Sequence, residues 1–133
     1  MRVAIFIFLL VVSSPSFSKV CALDAERPKA ATYEEKIECM REDAKYLWAQ
    51  LDYFNFTVGR YPTNEEGFEV LVAGSALPKP NNYSRWGYIK EELKDPWSRR
   101  YIYRESPLSI ISYGLDGSPG GEGKSKDIVF TRK

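Results

Sequence analysis

The sequence has no histidine, which removes both the side chain most often used as a general base and the commonest metal ligand. It has only two cysteines, Cys21 and Cys39, and no CxxC pair, so neither a zinc ribbon nor a dithiol redox motif can be written on it. Serines are frequent, yet none stands in a nucleophile elbow, and the nine glycines form neither a P-loop nor a dinucleotide fingerprint. Among 18 acidic residues some carboxylates must lie close by chance, so a carboxylate pair alone is no argument for acid–base chemistry. The chain reads as a non-enzyme. A large basic excess is also missing: one of the 19 basic residues is Arg2, and without it the charges balance. That excludes the electrostatic footprint of a nucleic-acid binder and any strong pull toward anionic lipid. Finally, no apolar run is long enough to cross a bilayer, which takes roughly 20 residues.

What is present begins with an export signal. Arg2 precedes the apolar run of residues 3–12, and Ser16 and Ser18 fit the small-residue positions before a signal-peptidase cut. Cleavage after Ser18 leaves a periplasmic or secreted chain with no transmembrane anchor, and Lys19 argues against a lipoprotein cut before Cys21. Residues 19–31 are polar, contain Pro28 and read as an extended lead-in. In an oxidising compartment Cys21 and Cys39 have one intramolecular pairing open to them, a disulfide tying the lead-in to the adjoining helix; the alternative is a reactive or metal-binding thiol pair.

That helix is the strongest element. From residue 32 to 58 the apolar positions Tyr33, Ile37, Met40, Ala44, Leu47, Leu51, Phe54 and Val58 alternate steps of three and four, which keeps one helical face apolar. Thr32 and Glu35 make a capping box at its start. Asn55, Thr57 and Gly59 weaken its end before Pro62. A helix of this size is about 35–40 Å long. Its first turns, around Tyr33, Ile37 and Met40, either pair with a partner helix or are covered by the lead-in and the disulfide; the second is preferred.

Thr63 and Glu66 repeat the capping-box spacing ahead of Phe68, Leu71 and Val72, which predicts a second helix of about ten residues. Residues 75–83 (SALPKPNNY) are a surface loop. Trp86, Tyr88 and Trp97 read as core, with a contact surface as the alternative. The period then changes: RYIYRE (100–105), SIISY (109–113) and IVFT (128–131) are short and rich in Tyr, Ile and Val. The expected fold is α+β, one domain over residues 32–133, with the long helix packed on about three antiparallel strands. Asn55 and Asn82 begin glycosylation sequons that are treated as chance matches.

Four stretches in order, VGRYPTNEEGFEVLV (58–72), WGYIKEELKDPWSRRYIY (86–103), SYGLDG (112–117) and GGEGKSKDI (120–128), resemble the major pseudopilin of bacterial type II secretion systems. The resemblance covers residues 44–128. It implies the pseudopilin globular fold and function by contact with pseudopilins or other secretion-apparatus proteins; the alternative is a free-standing periplasmic module that reuses the fold for structure or ligand binding. It also implies a calcium site in the Gly-rich loop before the last strand, with Asp116 and Asp127 as side-chain ligands, the Leu115 carbonyl as a main-chain ligand and Ser118 as a further one. Calcium takes six to eight oxygens, and this loop has carboxylates and glycines to supply them. Lys124 and Lys126 stand where that family usually carries acidic residues. Its members begin with a short basic leader and a hydrophobic anchoring helix, whereas this N terminus resembles an ordinary export signal, so the usual route of membrane-anchored assembly is not expected here. Tyr33, Ile37, Met40, Trp86 and Tyr88 are the candidate partner surface.

Overall fold

The computed structural model describes Cys21 and residues 32–132. The expected signal peptide and the rest of the expected lead-in lie outside the described residues. Helix α1 runs over Tyr33–Val58, 26 residues or about 39 Å. Both capping-box bonds form: the Glu35 N–H donates to the Thr32 hydroxyl at 3.2 Å, and the Thr32 N–H donates to the Glu35 carboxylate at 2.8 Å. At the other end Gly59 turns left-handed, with φ 87°, and its N–H closes on the Asn55 carbonyl.

Strands β1 (Ile102–Arg104), β2 (Ser109–Ser112) and β3 (Ile128–Thr131) form an antiparallel sheet in the order β1-β2-β3. All four residues of the central strand are buried. Tyr103, Ile110 and Phe130 lie opposite one another across the three strands, so they share a face. That face meets Met40, Ala44, Leu47, Leu51 and Phe54 of α1 in the core, together with Phe68, Val70, Leu71, Tyr88, Ile89, Leu93 and Tyr101. Burial of this apolar surface is the main stabilising term.

The predicted second helix is much shorter than its sequence signature. Thr63 and Glu66 do exchange the capping-box bonds, and Arg60 forks onto the Glu66 carboxylate at 2.6 and 2.7 Å. Beyond them lies only a 3₁₀ turn, Glu69–Leu71. Gly67 sits at φ 52°, which breaks helical progression directly after the first turn. The chain is then drawn into extended pairing, because the Leu71 carbonyl accepts from the N–H groups of Tyr88 and Ile89, and Ala73 donates to Ile89. Tertiary pairing has overridden local propensity.

Two members of the candidate partner surface are core. Met40 is fully buried and Tyr88 is 8% exposed, its hydroxyl meeting Thr57 and accepting from the Ser84 N–H. Met40 belongs to the face that α1 turns to the sheet, so it cannot pair with another helix without unfolding. Tyr33 and Ile37 are half-buried, Ile37 against the core and Tyr33 beside the Trp97 ring, with centroids 6.2 Å apart. Cys21 and Cys39 are joined as a disulfide, with Cα atoms 5.2 Å apart.

Candidate functional site

The candidate metal loop hangs from the end of β2 and returns into β3, and it is positioned by a buried carboxylate. Asp95 is 1% exposed. One of its oxygens accepts from the N–H groups of Trp97 and Arg99, at 2.9 and 3.0 Å, which fixes the turn of residues 95–99. The other accepts the Ser112 hydroxyl at 2.6 Å, and that hydroxyl oxygen accepts the Gly114 N–H at 3.2 Å. Asp95 therefore couples the Asp-Pro-Trp turn to the first residues of the loop. The sequence marked Asp95 only as turn chemistry; its distance in sequence from Ser112 hid the second role.

Within the loop, Asp116 and Asp127 are brought to the same region by backbone closure. The Asp127 carboxylate accepts the Gly120 N–H at 3.0 Å and its own N–H donates to the Gly120 carbonyl at 3.0 Å. The Asp116 carboxylate accepts the Ser118 N–H at 3.0 Å through one oxygen. Its other oxygen lies 3.2 Å from where a Gly121 Cβ would stand, a spot only 2.3 Å from the Ser125 carbonyl oxygen. Gly121 is thus a close approach that a side chain would block. The Ser125 carbonyl oxygen, missed in the sequence, and the Asp116 carboxylate thus approach the same spot beside Gly121, whereas Ser118 engages through its backbone N–H. Leu115 is exposed and its carbonyl accepts a long, 3.4 Å hydrogen bond from Arg99.

One oxygen of Asp127 is buried and has no hydrogen-bond partner. A buried carboxylate oxygen left in this state costs free energy unless a cation or water meets it. Two carboxylates with carbonyls, and no nitrogen or sulfur donor, suit a hard cation such as calcium rather than zinc. Among the described residues no three carboxylate or thiol groups converge as a metal cluster, so main-chain oxygens and water would have to complete the coordination. The Lys124 ammonium lies 5.4 Å from the centre of the Tyr33 ring, within cation–π reach.

A second feature is an exposed aromatic surface. Trp86 is 79% exposed, with the Arg85 guanidinium 5.1 Å from its ring centre. It edges a groove lined also by Tyr46, Ile89, Lys90 and Leu93. On α1, Phe56 is 85% and Tyr53 47% exposed. Sequence periodicity missed Phe56 because it falls off the core-facing stripe. Of the candidate surface, Trp86 alone is exposed, contrary to its reading as a core residue.

Residues 30–131 match the family described as type II secretion system protein G. A type II secretion system core protein G of Vibrio cholerae is 39% identical over 82 residues, covering 59% of this chain and 56% of that protein. The Pseudomonas aeruginosa core protein G is 32% identical over 100 residues, covering 71% of this chain and 70% of that protein. The chain thus spans little more than half the length of the first of these relatives. Among solved structures, the major pseudopilin from the type 2 secretion system of enterohaemorrhagic Escherichia coli superposes with a TM-score of 0.55 at 33% identity, covering 67% of this chain and 80% of that one.

Proposed function

The chain belongs to the family of type II secretion system protein G, and we propose that it acts by protein contact in a secretion filament apparatus, as a pseudopilin-like globular domain on the periplasmic side or beyond. The observation that carries this reading is the family match through residues 30–131, which takes in α1 and every strand of the sheet. No helix among the described residues is long and apolar enough to cross a membrane, and the contact chemistry that the described surface offers is aromatic. Phe56 and Trp86 are the most exposed large apolar side chains among the described residues, and aromatic side chains dominate interface energetics. The test is in situ crosslinking of the tagged chain in its native host. Recovery of pseudopilins or secretion-channel components is the expected result. Recovery of the chain alone, under conditions that capture a known pseudopilin contact, would favour a free-standing module.

The same reading includes calcium as a structural ion. Asp116 and Asp127 would hold it through side-chain oxygens, with the carbonyls of Leu115 and Ser125 as main-chain donors. The ion would supply positive charge that closes the loop between β2 and β3, and the lone Asp127 oxygen supports that assignment. Millimolar calcium is expected to raise the melting temperature, and chelator to reverse it; occupancy at about 100 times the dissociation constant adds roughly 2.7 kcal/mol. An equal shift in Asp116→Ala, or none in the wild type, would remove calcium from the proposal. Cleavage after Ser18 is checked by N-terminal sequencing of the exported protein.

A further inference from the structure

We propose that Arg99 is the loop's built-in cation, which holds the Leu115 carbonyl in the absence of metal and weakens calcium binding by competing for it. This rests on the calcium reading above. The guanidinium donates to the Gly114 carbonyl at 2.7 Å and to the Leu115 carbonyl at 3.4 Å. No carboxylate among the described residues pairs with it within salt-bridge distance, so its charge is directed at main-chain oxygens of the kind a hard cation takes. Arg100 shows the contrast: its guanidinium turns away to Glu92, at 3.1 Å.

The position of Arg99 is built rather than incidental. Its backbone N–H is held by Asp95 at 3.0 Å, so the side chain leaves from a fixed turn. Its guanidinium then fills the space over Gly117, where a Cβ would fall 2.4 Å from the guanidinium carbon. Any side chain at position 117 would evict it. The two bonds are unequal, and this asymmetry sets the mechanism. The short bond to Gly114 anchors the group, while the long bond to Leu115 is the one that can be surrendered when a metal takes that carbonyl. Arginine is suited to this because its rigid fork can keep one carbonyl while releasing the other.

Calorimetric titration of calcium chloride into the exported chain, with melting temperatures in chelator and in calcium, tests the inference on four proteins: wild type, Arg99→Ala, Arg99→Lys and Arg100→Ala. In chelator, Arg99→Ala should melt below the wild type, because two carbonyls lose their donor. In calcium it should bind about tenfold more tightly, equivalent to about 1.4 kcal/mol, and regain its melting temperature. Arg99→Lys keeps the charge without the fork and should also bind more tightly, whereas Arg100→Ala should match the wild type. If Arg100→Ala tightens binding as much as Arg99→Ala, the effect is bulk charge and the inference fails. Equal dissociation constants for wild type and Arg99→Ala overturn it while leaving the calcium reading intact. If none of the four binds calcium at millimolar concentration, the calcium reading itself fails and the competition with it.

Discussion

Replacing Asp95 by alanine should be among the most damaging single changes outside the apolar core. The side chain is 1% exposed and its two oxygens accept from the Trp97 and Arg99 N–H groups and from the Ser112 hydroxyl. Hydrogen bonds to a charged acceptor contribute about 1.5–3 kcal/mol each. Three bonds to one carboxylate are not additive, and removing the carboxylate also releases the cost of holding a charge out of water. The net loss is therefore about 3–5 kcal/mol. For a domain of this size, at about 4–8 °C per kcal/mol, that is a fall of roughly 12–40 °C in melting temperature. Asp95→Asn keeps one oxygen for the two N–H groups and offers an amide N–H to Ser112, so it should lose only about 1–2 kcal/mol. Urea denaturation followed by far-UV circular dichroism measures both losses, with an unchanged m-value as the check that the same structure unfolds. An alanine variant that lost less than about 1 kcal/mol, or that matched the asparagine variant, would refute the claim that this carboxylate joins the 95–99 turn to the loop.

The double variant Ile37→Ser/Met40→Ser should lower the melting temperature by at least about 10 °C without changing the sedimentation coefficient, because truncating a buried Met alone costs about 2–5 kcal/mol; unchanged stability with loss of an oligomer would show that this face is an interface after all. Trp86→Ala should leave stability within about 0.5 kcal/mol yet remove crosslinks to secretion-apparatus partners, and retained crosslinks would discard the aromatic surface. Acid stability should depend on Asp52 and Glu66, whose carboxyls are held below the usual carboxylate range by the Arg132 and Arg60 hydrogen bonds respectively. Folded values below the unfolded ones mean stabilisation that is present above about pH 4 and lost as pH falls through the folded values. Asp52→Asn/Glu66→Gln should therefore flatten the fall of melting temperature below about pH 4, and parallel acid limbs in the two proteins would contradict this.

Much of the architecture was legible in residue order because it depends on local periodicity. The three-and-four spacing from Tyr33 to Val58 and the Thr32–Glu35 box needed no knowledge of the rest of the chain, and α1 begins and ends where they place it. The IVFT stretch reads as a strand and is one, and the other two strands fall within their expected stretches. The same local logic failed at Thr63–Glu66. There the capping bonds form as expected, but the conformation beyond them is settled by a left-handed Gly67 and by backbone pairing with residues 88 and 89, distant in sequence.

Sequence also named the two aspartates of the loop, through motif likeness, because carboxylates at the ends of a Gly-rich segment are visible as letters. Tertiary structure alone decided the rest of that loop's arrangement. A carbonyl such as that of Ser125 carries no mark in the sequence, since every residue has one. The long reach of Asp95 to Ser112, and of Arg99 to Gly114 and Leu115, exists only once the 95–99 turn is folded beside β2. Burial was decided there too: Met40 and Tyr88 went to the core and Trp86 to the surface, because which apolar side chains find cover depends on what packs over them.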